Sequence, residues 1–214
     1  AIASAARADR ADDVRRLDLD VSSWIWADSP ADGKVLLPGG LRLDPPRRAG
    51  DLATLGPYDV LSILGEGGMG IVVKAHDPSL QRDVALKLIS PRWLHDAKAR
   101  DRFLHEARAA ARLAHPNIVV VHQVGQHDDL PYLVLEHVAG TSLKLLLAEE
   151  GRLEPARALE MTRQILAALE HAHAQGVVHR DVKPGNILVE HGTGRLRLVD
   201  FGLARIVTDT DHLT

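Results

Sequence analysis

The sequence predicts an α+β fold in two lobes, one rich in antiparallel strands and one mainly helical. Three observations carry that expectation. From Tyr58 onward, short β-branched apolar runs alternate with glycine turns. Two longer stretches, residues 96–114 and 155–175, space their apolar residues three to four apart, as helices do. The strand-like runs precede the second of these helices, so the elements segregate rather than alternate.

The strands read as YDVLSIL (58–64), IVVKA (71–75), DVALKLI (83–89), NIVVVHQV (117–124) and PYLVLEHV (131–138), a five-stranded antiparallel set. A helix is inserted among them at 96–114, with Asp96 as N-cap and Pro116 just past its end. Pro155 opens the second helix, which carries Ala158, Met161, Ile165, Leu169 and Ala172 on one stripe. Short strands follow around NILV (186–189) and RLRLVD (195–200). This divides the chain into an extension and linker at 1–57, a first lobe at 58–138 and a second, partial lobe at 139–214. The extension is expected to be mostly disordered, because prolines and glycines punctuate its second half. Trp24 and Trp26 within it read as a docking motif or as stray linker aromatics.

Composition narrows the function. With 45% apolar residues in 214 the chain can build a core. A formal charge of −3 and 3% aromatics argue against a nucleic-acid partner, which would require a basic or base-stacking surface. Cysteine is absent, which excludes disulfides and thiolate metal sites. No apolar run reaches the ~18 residues that a membrane span requires, and no leader pattern opens the chain, so a soluble, cytoplasmic chain is expected. A parent protein could still be membrane-anchored by a segment not present here. Both ends, Ala1 and DTDHLT, read as cut.

Chemistry concentrates at a few places. GEGGMG (65–70) joins two strand-like runs instead of opening a helix, so its glycines cap a hairpin whose bare backbone could approach a phosphate. Strand alternation puts Lys87 on one face with Ala85 and Ile89, either snorkelling to water or paired. Glu106 falls in the apolar stripe of its helix with Phe103, Ala110 and Leu113, and a carboxylate there needs a cation, Arg102 or Lys87. The segment VVHRDVKPGNILV (177–189) crowds charge between apolar anchors, and Pro184 and Gly185 keep its centre a loop. Asp181 there could accept a hydroxyl proton, Lys183 could neutralise a phosphoryl group, and Asn186 could offer an oxygen to a hard cation. Asp200, at the end of RLRLV and before Phe-Gly, supplies a second such oxygen. His171 and His173, two apart on a helix, make a poor metal pair.

These five motifs, in order and spacing, resemble the catalytic domain of eukaryotic-type protein kinases, with wording most similar to the bacterial serine/threonine kinases, over residues 58–214. The resemblance implies a protein-kinase-like two-lobed fold whose 96–114 helix is the family's helix C. It implies ATP and Mg²⁺ as cofactors and a protein serine or threonine hydroxyl as acceptor. Gly65, Gly67 and Gly70 would cover the phosphates, with Val72 and Ala85 against adenine and Glu136 and Val138 in the hinge. Leu64, Glu66, Gly68, Met69 and Leu188 complete the ATP-contacting set. Lys87 would hold the α- and β-phosphates and pair with Glu106. Asp181 would be the catalytic base and Lys183 the γ-phosphate contact, with Asn186 and Asp200 holding magnesium. Arg180 resembles the arginine on which a phosphorylated activation loop docks, and Thr208, Thr210 and Thr214 sit where relatives are phosphorylated, with dimerisation for autophosphorylation a further implication.

Val73 departs from the family, which has an aromatic there. The chain also stops soon after Asp-Phe-Gly, before the Ala-Pro-Glu motif and the later helices, so an incomplete catalytic domain with an open apolar face along 155–175 is expected. Two alternatives remain: an ATP-binding regulatory fragment without turnover, and a small-molecule phosphotransferase on the same fold.

Overall fold

The computed structural model describes residues 33–67, 70–94 and 96–201. The side chains of Arg102 and Glu106 lie outside the described set. So do Gly68, Met69, Trp24, Trp26, Thr208, Thr210 and Thr214. The chain forms two compact units, residues 1–91 and 92–214, so the first lobe boundary expected at 138 falls inside the second unit.

In the first unit the antiparallel strands β3 (Ala53–Leu55), β4 (Tyr58–Gly67), β5 (Gly70–Asp77) and β6 (Arg82–Ile89) lie in that order. The β-branched runs select these strands, and alternation along β5 buries Ile71, Val73 and Ala75 while Val72 and Lys74 face the other side. The register of β4 against β5 slips between Ile63 and Gly65, which leaves Leu64 as an unpaired, exposed extra residue. Asp77 ends β5 by accepting from the Ser79 hydroxyl and from the backbone N–H groups of Ser79 and Leu80, which turns the chain into β6.

Residues 33–57, read from sequence as linker, are built into this unit. β1 (Val35–Leu37) and β2 (Leu41–Leu43) form a hairpin through a 3₁₀ turn at Pro38–Gly40. Leu37, Leu41 and Leu43 are buried, the Asp44 and Thr54 backbones bond each other, and β3 carries the chain onto β4. Arg47 and Arg48 both reach the buried Asp59 carboxylate, at 3.2 and 3.8 Å. Proline and glycine density marks the turns of this segment correctly. Its strand character depends on a partner surface that lies further along the chain.

The second unit begins with α1, a single turn at Pro91–Leu94 that starts at the unit boundary, and α2 (Ala97–Ala110). Asp96 caps α2 as expected, its carboxylate accepting from Lys98 N at 2.9 Å and Ala99 N at 3.2 Å. The β-hairpin of β7 (Val121–His127) and β8 (Leu130–Glu136) follows. The strand expected from 117 starts at 121, because residues 117–119 run beside Leu198 instead: Val119 N donates to Leu198 O and Leu198 N to Asn117 O. β9 (Gly140–Ser142) leads into α3 (Leu143–Glu150), where Ser142 Oγ accepts from Leu145 N as the N-cap. Sequence periodicity left both unassigned. α4 (Pro155–Ala174) has the predicted extent almost to the residue, and β10 (Ile187–Glu190) pairs with β9 on one side and β11 (Leu196–Leu198) on the other.

The core of this unit gathers Met161, Ala168 and Ala172 of α4 against Ile187, Leu196 and Leu198. Gln164 ties the layers, its Oε1 accepting from Asn117 Nδ2 at 2.8 Å and Leu196 N at 2.9 Å. On its other face α4 leaves Leu159 and Leu166 more than half exposed, at 55% and 59%. Among the described residues no helix is long and apolar enough to cross a membrane.

Candidate active site

In the first unit the glycine turn and Lys87 are brought into register by the sheet. Gly65 pairs with Val72 across β4 and β5, and Val72 pairs with Lys87 across β5 and β6, so the three form one row. Ala85 stands two residues from Lys87 on the same strand face, opposite Lys74. Lys87 is 5% exposed, so the snorkelling alternative fails. The expected pairing with Glu106 involves a side chain outside the described residues.

Gly65 and Gly67 differ from Gly70. A Cβ placed on either of the first two would meet no heavy atom within 4 Å, whereas on Gly70 it would lie 1.9 Å from Leu88 O, at a φ of +148°. Gly70 is therefore glycine because β5 crosses β6 closely there. Gly65 and Gly67 leave an open, side-chain-free surface of exposed backbone, which fits a group as large as a phosphate.

In the second unit the loop between α4 and β10 builds a polar cluster. Asp181 Oδ2 accepts from Lys183 Nζ at 2.7 Å and from Asn186 Nδ2 at 2.9 Å, and the same Nδ2 reaches Asp181 O at 2.9 Å. The Lys183 ammonium, first, and the Asn186 amide then hold the Asp181 carboxyl below the usual carboxylate range, against a desolvation effect that would raise it. Because Nδ2 is committed to Asp181, Oδ1 is the side-chain atom that Asn186 could offer a cation. Val199 N donates to Asn186 O at 3.0 Å, so the β10–β11 pairing sets Asn186 beside the stretch that carries Asp200. Arg180 and Asp200 both adopt φ of +64°, a conformation costing a side-chain-bearing residue about 1 kcal/mol or more. Among the described residues no cluster of three or more His, Asp or Glu could hold a metal alone. An Asn–Asp pair supplemented by phosphate oxygens and water suits magnesium, which keeps few protein ligands.

Sequence reasoning gave His179 no role. Its ring is 1% exposed, Nε2 donates to Val199 O at 2.9 Å, and Nδ1 accepts from Asp181 N at 3.3 Å. One ring nitrogen donates and the other accepts, so the imidazole is neutral, and burial pushes its pKa below the ordinary histidine value. It also stacks at a tilt on Phe201, with ring centroids 4.6 Å apart. His179 thereby pins the start of the Asp181 loop to the strand end before Asp200. Its sequence signal was its place at the head of the HRDVKPGN stretch, directly after the apolar pair Val177-Val178.

Glu136 and Val138 lie at and just beyond the end of β8. The Glu136 side chain is spent on structure: it pairs with Arg197 and accepts from Val120 N at 3.3 Å, while Arg197 also donates to Pro116 O at 2.6 Å. The Glu136 N–H also donates to Val120 O at 2.9 Å, so its carbonyl is the group left to meet a ligand. Leu188 is half-buried on β10, between Ser142 and Arg197 on the neighbouring strands.

A family model described as the protein kinase domain matches residues 58–214. The chain belongs to the protein kinase family. Its similarity to the serine/threonine-protein kinase PknD of Mycobacterium tuberculosis is 49% identity over 154 residues, covering 72% of this kinase chain and 23% of the relative. With the serine/threonine-protein kinase PrkC of Bacillus subtilis it shares 41% over 155 residues, 72% of the chain and 24% of the relative. The chain thus spans about a quarter of the length of the curated relatives it matches. A crystal structure of the Mycobacterium tuberculosis PknI kinase domain superposes with a TM-score of 0.64 at 34% identity, covering 73% of this chain and 63% of that one. The α+β kinase fold expected from the motifs is therefore the fold of this chain.

Proposed function

We propose that this kinase chain takes part in transferring the γ-phosphoryl group of ATP to a serine or threonine hydroxyl of a protein. The observation that carries the reading is the Asp181–Lys183–Asn186 cluster, one carboxylate held ionised by a lysine and an amide two and five residues on.

Transfer to a hydroxyl passes through a loose transition state, so positioning and charge neutralisation do most of the work. Asp181, with its lowered pKa, is a weak base. It orients the acceptor hydroxyl from its ionised carboxylate and takes the proton late, as the oxygen–phosphorus bond forms. Lys183 exchanges its contact with Asp181 for the incoming γ-phosphate, and its exposed ammonium has the freedom to do so. The bare backbone at Gly65 and Gly67 receives phosphate oxygens, and Lys87 supplies a fixed positive charge for the α- and β-phosphates. Asn186 Oδ1 and the Asp200 carboxylate would hold magnesium, which offsets charge on the phosphates when bound. Val72, Ala85 and Leu188 offer apolar surface for adenine, with the backbone at Glu136 and Val138 for its polar edge. We place the reaction in the cytoplasm, where ATP is abundant, and infer that a second copy of the chain can serve as the protein acceptor.

Phosphate transfer from γ-labelled ATP to a generic basic protein, measured on the protein at the length its gene encodes, tests the reading. Transfer is expected in the wild type and a loss of about a hundred-fold or more in Asp181→Asn. Equal labelling by both would sink the enzyme assignment. Nucleotide binding without labelling in either would leave the regulatory-fragment alternative standing in its place.

A further inference from the structure

The hairpin ahead of the kinase-matched region lies against the glycine turn. The matched residues begin at 58, yet β1 and β2, residues 35–43, are anchored in the same unit by buried Leu37, Leu41 and Leu43. The Lys34–Asp44 ion pair at 2.5 Å closes the open end of the hairpin, and the mutual Asp44–Thr54 backbone bonds lead it into β3 and so onto β4. At the other end the Pro38–Gly40 turn meets the strands that flank the glycine turn. Pro38, Gly39 and Leu41 line one small cavity together with Glu66, Gly67 and Gly70. A Cβ on Gly39 would sit 3.6 Å from Glu66 Oε1.

A glycine-rich turn has more conformations to lose on ordering than any other backbone, and each ordered residue costs affinity when a ligand must impose the order. A rigid neighbour that imposes it beforehand spares the ligand that cost. We propose that the β1–β2 hairpin is a positioning strap for the glycine turn: its Pro38–Gly40 tip holds the strand ends carrying Glu66, Gly67 and Gly70, and thereby raises affinity for the nucleoside triphosphate. The proposal rests on the nucleotide reading of that turn and assigns a functional part to a segment outside the kinase-matched residues. The strap residues touch no reacting atom and act through Glu66 and its neighbours.

Two adjacent glycines provide the test. Gly39 and Gly40 have nearly equal φ, +73° and +80°, so a side chain strains the backbone alike at both. Only at Gly39 would it face Glu66, since a Cβ on Gly40 meets nothing within 4 Å. Gly39→Val and Gly40→Val are compared with the wild-type chain in two ways: titration with a fluorescent ATP analogue, and amide hydrogen exchange, without nucleotide, in residues 64–67 and 70–72. Circular dichroism establishes that each variant is folded, and if valine prevents folding, the serine pair, whose Oγ extends beyond the Cβ position, carries the same comparison. Gly39→Val is expected to exchange faster at the turn than Gly40→Val and to bind the analogue about five-fold or more weakly than it, the equivalent of ordering about one extra residue on binding. Indistinguishable variants in both measurements overturn the proposal, as does a faster-exchanging turn with unchanged affinity. If the wild type binds no analogue, the nucleotide reading fails by itself, while the exchange comparison still decides whether the strap holds the turn.

Discussion

The three motif glycines at 65, 67 and 70 look equivalent in a pattern, but their surroundings differ enough to separate stability from ligand binding. Gly70→Ala places a methyl 1.9 Å from Leu88 O and 3.0 Å from Ser90 N, all backbone, so no side chain can swing aside. The strand ends must part locally, an overpacking strain of about 1–3 kcal/mol. The φ of +148° adds about 1–3 kcal/mol more for any residue with a Cβ. Together they cost about 4 kcal/mol, a large part of the ~5–15 kcal/mol that holds a domain folded. Gly65→Ala and Gly67→Ala meet open space without a positive φ, so their stability should stay within ~1 kcal/mol of wild type, with a slight gain from a stiffer unfolded chain. Their added methyls stand where phosphate oxygens would approach, so binding of an ATP analogue should weaken at both. Urea unfolding with matched slopes gives the stabilities, and fluorescence titration gives the affinities. A Gly70→Ala chain as stable as wild type to within ~1 kcal/mol would refute the steric argument. Gly65→Ala or Gly67→Ala unfolding as readily as Gly70→Ala would do the same.

Three further outcomes follow from other parts of the structure. Glu136→Ala strips the carboxylate from the nearly buried Arg197 guanidinium and an acceptor from Val120 N, and should cost about 2–3 kcal/mol in urea unfolding, less than a fully buried pair because Glu136 is partly solvated. Burial lowers the His179 pKa, so the unfolded chain takes up a proton that the folded one refuses. Stability is then full above the ordinary value of 6.5 and falls as pH drops below it towards the folded value, and His179→Asn should flatten that fall. His115 is shifted the same way, first by burial and then by His171, so part of the slope should survive the substitution. Replacing the exposed Leu159 and Leu166 by lysine should change unfolding free energy by less than ~0.5 kcal/mol each while reducing self-association in sedimentation, and a large loss of stability would show that these side chains are packed.

Much of the fold was legible because its signals are local. The β-branched runs at 58–64, 71–75 and 83–89 became β4, β5 and β6, and Asp96 and Pro155 mark the starts of α2 and α4. The chemistry of the 181–186 loop was legible for the same reason, since Asp181, Lys183 and Asn186 reach one another within five residues. What escaped was non-local. Val119 and Val120 are strand formers by residue type, yet Val119 takes its backbone partner from Leu198 instead of lengthening β7. The structural use of Glu136 depends on Arg197, 61 positions away. Residues 33–57 read as linker because Leu37, Leu41 and Leu43 become buried only when the hairpin is folded into the unit.

By itself the sequence determined which segments could be strands or helices, which turns lack side chains, and which loop carries a carboxylate, a lysine and an amide in reach of each other. Those follow from backbone propensity and short-range spacing. Only the tertiary structure decided that Gly70 serves strand crossing while Gly65 and Gly67 leave open backbone, that His179 is a neutral pin between two loop ends, and that the extension is a hairpin seated on the glycine turn. Each depends on which distant groups share a buried environment, where desolvation and contact distance, not residue type, set the energy.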